Sequence, residues 1–142
     1  MPESPSLRFI EHTADVGIDV QADTLADLFV TAAAGMFELV LGRSPAAVPP
    51  SVSLEARRVT LQADDAAGLL VAWLRELLFL HETTWLCPYH AEFTTLTESS
   101  LDAVVQFGPA AEPVREIKGV TWHQLSVHRR NHAWQARVIF DV

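Results

Sequence analysis

Two acidic residues far apart in this sequence have the types and positions that oxygen-ligand chemistry needs. Asp15 closes the tetrapeptide His12-Thr13-Ala14-Asp15 at a predicted corner between two strands, where a polar side chain projects clear of a core. Asp141 is the penultimate residue, and the main-chain carboxylate of Val142 follows it, so two negative groups stand at one end of the last predicted strand. If the fold carries Asp15 beside them, three carboxylates share a site, and their repulsion calls for a hard divalent cation such as Mg²⁺, Ca²⁺ or Mn²⁺. Asp15 also has a plainer reading, as an aspartate favoured in turns for its local hydrogen bonds.

Other candidates carry less. Lys118 is a lone cation in Glu116-Ile117-Lys118-Gly119-Val120-Thr121-Trp122-His123, a strand-like segment in which an outward-facing lysine is ordinary. Cys87 has no basic cluster near it in sequence to activate a thiolate, so it reads as a packed thiol. His128 and His132 stand four apart, a metal spacing on a helix, but they flank a predicted turn and read as solvated. Glycine-rich phosphate loops, the Gly-x-Ser-x-Gly elbow, His-Glu-x-x-His and Cys-x-x-Cys are all missing, and with them the familiar enzyme signatures.

The elements that must position these residues follow from periodicity. Leu7 to His12 and Val16 to Gln21 read as strands, the second alternating Val16, Ile18 and Val20 with Gly17, Asp19 and Gln21. Thr24 is an N-cap candidate for a helix with Leu25, Leu28, Phe29, Ala32, Ala33, Met36, Phe37 and Val40 on its apolar face, ending near Gly42. The stretch Val52 to Ala63 predicts a strand whose alternation slips at Arg57-Arg58, as a bulge would make it. Asp64 is the cap candidate for a second helix with a wide face of Leu69, Leu70, Trp73, Leu74, Leu77, Leu78 and Phe79. Four strands follow, about Tyr89 to Thr97, Leu101 to Phe107, Glu116 to His128 and Ala133 to Val142, the last two joined as a hairpin around Arg129-Arg130-Asn131-His132. Without regular alternation of strand and helix, the order predicts an α+β domain with a largely antiparallel sheet and two helices over residues 1–142, residues 1–6 forming a flexible tail.

Composition agrees with one folded unit. The chain has 142 residues, 49% hydrophobic and 20% charged, which excludes disordered, collagen-like and disulfide-stapled classes. Ten Lys and Arg against eighteen Asp and Glu give a net charge of −8, which disfavours non-specific binding of nucleic acid by the surface as a whole. A single cysteine suits a reducing compartment, and neither a signal peptide nor a membrane span is expected, so the expected location is cytoplasmic.

Phe9 to Ile18, with His12-Thr13-Ala14-Asp15 inside it, resembles the opening of the archease family. The likeness continues through the helix with Ala33 and Met36-Phe37, through Leu69 to His81, through Ile117-Lys118-Gly119-Val120-Thr121-Trp122-His123, and to the closing Phe140-Asp141-Val142. It implies a non-enzymatic protein cofactor of an RtcB-type RNA ligase of tRNA splicing and RNA repair, one that promotes guanylylation of the ligase and its multiple turnover. On that resemblance the metal site falls on Asp15, Asp141 and Val142, the functional lysine on Lys118, and the signature histidine on His12. RNA would be met only through the ligase, for which an acidic protein is a suitable partner if the ligase is basic. A chaperone of another RNA-modifying enzyme, such as a tRNA methyltransferase, is the alternative; a metal-dependent hydrolase has only His12 as a general base. The chain departs from the family's pattern in the shortened, proline-rich Phe107 to Pro113 segment, in Gly119 for alanine and in Trp122 for tyrosine.

Overall fold

The computed structural model describes residues 4–11, 15–44 and 53–142. Its elements run β1 (Ser6–Glu11), β2 (Asp15–Ala22), α1 (Leu25–Leu41), β3 (Glu55–Gln62), α2 (Ala66–Thr84), β4 (Cys87–Leu96), β5 (Ser100–Gly108), β6 (Gly119–Val120), β7 (Ser126–Arg130) and β8 (Ala133–Asp141). Every strand pair is antiparallel, as expected, but the strands divide over two sheets. One has the order β1-β2-β8-β6 with β7 also paired to β8, and the other is β3-β5-β4.

Alternation builds the first sheet. Val16, Ile18, Val20 and Ala22 of β2 are buried and pair with Phe140, Val138, Ala136 and Trp134 of β8, so these residues share the face that meets the helices. Thr24 caps α1 by accepting the Asp27 amide at 3.0 Å, and Gly42 ends it at φ 74°, donating to the Glu38 carbonyl at 2.8 Å. Both helices touch strands of both sheets. Where α1 and α2 meet, the buried Trp73 indole donates to the Phe29 carbonyl at 3.1 Å, and its ring lies 5.4 Å from that of Phe93 on β4.

Several expectations are corrected. The first strand begins at Ser6, which pairs with Gln21, so Ser6 belongs to the sheet and not to a tail. Asp65, not Asp64, caps α2, accepting the Gly68 amide at 2.8 Å. Phe79 is 58% exposed and lies off the helix's buried face. β3 runs beside β5 in unbroken register, and the irregularities lie in β4, between Pro88 and His90 and between Phe93 and Thr95. The apolar slip at Arg57-Arg58 has another cause: β3 is an edge strand whose first four residues are exposed, so only Val59 and Leu61 report a core face. Arg58 instead grips Asp102 on β5 with bonds of 3.0 and 2.6 Å. Val52 and the Pro45–Pro50 loop lie outside the described residues.

The expected strand from Glu116 to His128 is two short ones. Between them the Thr121 amide and hydroxyl both donate to the Ile139 carbonyl at 3.0 Å, and the chain turns through Gln124 at φ 53°. Trp122 is thereby carried over Arg75 of α2, whose guanidinium carbon is 5.5 Å from the indole centroid. The final hairpin forms as expected, with Asn131 and His132 at φ 52° and 67°, the left-handed pair of a tight two-residue turn.

On the sheet face away from the helices, Asp19 of β2 ties three strands together. It accepts from Arg8 of β1 at 2.9 Å and from Arg137 of β8 at 2.7 and 2.9 Å. The Arg137 hydrogen bond, reinforced by Arg8, holds the Asp19 carboxyl below its ordinary range against the opposing effect of burial. A depressed folded-state value means stability present above the unfolded value near 3.8 and lost as pH falls through it toward the folded one. Asp19→Asn should cost about 1 kcal/mol at neutral pH, because Arg8 is largely solvated. In urea titrations that difference between the two proteins should shrink as pH falls below about 4.

Candidate functional site

The β2–β8 register places Asp15 directly opposite Asp141. Each adjoins a core residue, Val16 and Phe140, so both carboxylates belong to the face turned away from the helices, their Cα atoms separated by about 5 Å as in any antiparallel pair. Asp15 is half-buried and Asp141 exposed. No ion pair among the described residues includes either one.

β6 completes the neighbourhood from the other side. Gly119 pairs with Asp141, and the Lys118 amide donates to the Asp141 carbonyl at 2.7 Å. A Cβ placed on Gly119 would meet nothing within 4 Å, so open space flanks Asp141 there. Lys118 itself is exposed while its neighbour Ile117 is 1% exposed, and Ile117 therefore anchors the segment. The Val142 side chain packs against the core beside the last strand residue, which fixes the main chain at this end of β8. Asp15, Lys118, Asp141 and Val142, drawn from three separate stretches of sequence, meet at one end of one sheet. His12 lies outside the described residues.

The donor set suits a hard cation. Two carboxylates in register on one face repel each other and offer only oxygen. Among the described residues no three His, Cys, Asp or Glu side chains come together as a cage.

Arg115 was no candidate from sequence, yet it reaches this sheet end. Its Nη2 is 3.8 Å from Oε1 of Glu11, which pairs with Val16 next to Asp15, and its Nη1 is buried without a hydrogen-bond partner among the described residues. The amides of Val114 and Arg115 both donate to the Val40 carbonyl, at 2.8 and 3.2 Å, which docks the proline-rich loop on the end of α1. A lone arginine in a loop gave no sequence signal, because only that docking brings it here.

The remaining sequence candidates stay apart from the site. Cys87 is fully buried; burial pushes its thiol up to about 11, and the nearby His81 Nδ1, 3.6 Å from the sulfur, lies 2.9 Å from the Leu86 carbonyl. That is a packed thiol, as expected. His128 and His132 are exposed on the hairpin, His128 bonding to Gln135 at 3.1 Å.

The fold is a small antiparallel α+β architecture that gathers an oxygen-donor pair and a lysine at a sheet end, and no described helix is long and apolar enough to cross a bilayer. Residues 7–142 match the model of the archease protein family (MTH1598/TM1083), and the chain belongs to that family. It is 34% identical to the protein archease of Methanosarcina acetivorans, over 94% of each chain. It is 33% identical to that of Methanopyrus kandleri, over 94% of this chain and 96% of the relative. Among solved structures, protein 1598 of Methanobacterium thermoautotrophicum superimposes with a TM-score of 0.73 at 28% identity, covering 96% of this chain and 98% of that one. An archease of Thermotoga maritima, described as a possible chaperone, shares the fold with a TM-score of 0.65 at 18% identity, covering 94% of each chain.

Like charges directly opposite on a sheet cost about 0.2–1 kcal/mol. In metal-free buffer Asp141→Asn should therefore raise the thermal midpoint slightly over the unaltered protein, a shift that scanning calorimetry in chelator would show.

Proposed function

We propose that this protein is a cofactor that activates an RtcB-type RNA ligase, promoting the ligase's GTP-dependent guanylylation and its multiple turnover. The observation that carries the reading is the Asp15–Asp141 pairing, in register and on one open face, in a chain of the archease family. Asp15, Asp141 and Val142 would hold a divalent ion, Ca²⁺, Mg²⁺ or Mn²⁺, which would supply positive charge and Lewis acidity at the sheet end. The protein's own residues do the rest. The β2–β8 ladder holds both carboxylates in place before any partner arrives, so little is lost in ordering them. Lys118, exposed and tethered through its amide to Asp141, presents an ammonium to an acidic or phosphate group on the ligase. His12 borders the same corner in sequence and is assigned to the partner contact. The protein transforms no substrate itself, meets RNA at this end only through the ligase, and works in the cytoplasm.

A second reading, a chaperone of another RNA-modifying enzyme such as a tRNA methyltransferase, draws on the description of the Thermotoga maritima archease as a possible chaperone.

The test is GTP-dependent guanylylation of a purified RtcB-type ligase from the same cell. Asp15→Ala and Asp141→Ala should each abolish the acceleration given by the unaltered protein, and a divalent ion should raise the thermal midpoint of the unaltered protein but of neither variant. Acceleration that survives both substitutions removes the carboxylate site from the mechanism. A folded protein that gives none moves the chaperone reading to the front.

A further inference from the structure

The net charge of −8 conceals a positive surface at the other end of β8. Across the outer face of the five-stranded sheet runs an open groove of about 760 Å³ whose lining includes Arg8, Asp19, Gln124, Ser126, His128 and Arg137. Asp19 is its one acid, and two guanidiniums share it, so the groove keeps a net positive charge. Gln21 and Gln135 line it too, joined by an amide hydrogen bond of 3.1 Å, and Arg137 Nη1 donates to the Gln124 side-chain oxygen at 3.4 Å.

The groove opens onto the β7–β8 hairpin. Five consecutive residues there, His128-Arg129-Arg130-Asn131-His132, are exposed. Among the described residues no carboxylate pairs with Arg129 or Arg130, while Arg8, Arg57, Arg58, Arg115 and Arg137 all have acidic partners. Arg129 lies over the Trp134 ring, 5.9 Å from its centroid, which steadies it at the tip. Register fixes the spacing of the rest. Arg137 pairs with Ser126, His128 with Gln135 and Arg130 with Ala133, and alternation puts Ser126, His128 and Arg130 on the groove face. Polar or positive groups thus recur along the groove every two residues, about 7 Å apart. That is comparable to the step between successive phosphates of an extended single strand.

We propose that this face, from the groove to the hairpin tip, binds the phosphate backbone of a single-stranded nucleic acid. Guanidinium forks match phosphate oxygens, and the glutamine amides offer donors and acceptors to unpaired base edges. An acidic peptide fits less well, because an extended peptide gains its main-chain bonds by joining a sheet edge, and this groove lies over a sheet face. The groove begins at Arg137, about 14 Å of strand from Asp141, and the hairpin tip lies about 27 Å away, so this face shares no residue with the carboxylate site and the proposal stands or falls apart from the ligase reading.

The experiment is fluorescence anisotropy of a labelled short oligo(U) RNA with the full-length protein at low salt, with oligo(dT) and poly-glutamate as parallel probes. The unaltered protein should bind the polynucleotides, with affinity falling as salt rises. Arg130→Glu, at the exposed end of β7 on the groove face, should weaken binding severalfold and reduce the log–log salt slope by about 0.7, one phosphate contact's worth for a single strand, whereas Arg129→Glu, whose register partner Trp134 lies on the opposite face, should change it less. A further variant, His128→Ala/Gln124→Ala, should weaken binding with a smaller change in slope, and thermal midpoints show that each variant is folded. Absence of binding at low salt, binding indifferent to Arg130→Glu, or poly-glutamate bound more tightly than RNA would each overturn the proposal, the last by giving the face to an acidic protein.

Discussion

In the five-stranded sheet, which residue of β2 faces which residue of β8 decides almost everything about the candidate site. The pairs Val16–Phe140, Ile18–Val138, Val20–Ala136 and Ala22–Trp134 fill one face against the helices. Burying each large side chain contributes about 1.5–3 kcal/mol, whereas two carboxylates placed opposite one another cost about 0.2–1 kcal/mol. A slip by one residue would relieve the repulsion and turn the whole apolar set to water. The core wins that comparison several times over, so the fold holds Asp15 against Asp141 whether or not an ion is present. A site made this way is organised in advance by hydrophobic packing, and the ligands need no loop to bring them together.

The same asymmetry explains what could be read in the chain beforehand. Periodicity that ends in burial was legible: both helices, the alternation of β2 and β8, and the Asn131-His132 turn all follow from short-range pattern. The resemblance implied one site for Asp15 and Asp141 but no strand pairing, and it is the β2–β8 register that sets the two opposite each other. Pattern failed where the residues serve something other than the core. The slip at Arg57-Arg58 imitated a bulge because an edge strand has little to bury there, and Arg58 answers instead to Asp102, 44 residues away. The segment from Glu116 looked like one strand, because nothing local shows that Thr121 would bond twice to Ile139 or that Trp122 would cross to Arg75. Phe79 fits the helical spacing of a core residue and is nonetheless exposed, since spacing marks the width of an apolar stripe and not where its edge meets water.

Net charge misleads in a related way. An acidic total counts Asp19, Asp102 and Glu55 as freely as Asp15 and Asp141, yet the first three are held by arginines and the last two are not. Once such pairs are set aside, what remains is unevenly placed. At the Asp141 end of β8 Asp15 and Asp141 outnumber Lys118, and at the other end Arg129 and Arg130 have no carboxylate partner among the described residues. A composition average cannot carry that arrangement, because antiparallel register creates it.

β8 therefore acts as a spacer as well as a partner for β2, β6 and β7. Its length separates the two ends by about 27 Å, while screening at physiological salt has a length of about 8 Å. Charges at one end are scarcely felt at the other, and occupancy of one need not disturb the other through the field. The mechanical link is different in kind: Asp19, pinned to Arg8 and Arg137 midway along, ties three strands together across the span. Rigid spacing without electrostatic coupling lets each end keep its own charge: carboxylate oxygens at the Asp141 end and guanidinium groups at the hairpin end, with neither compromising the other.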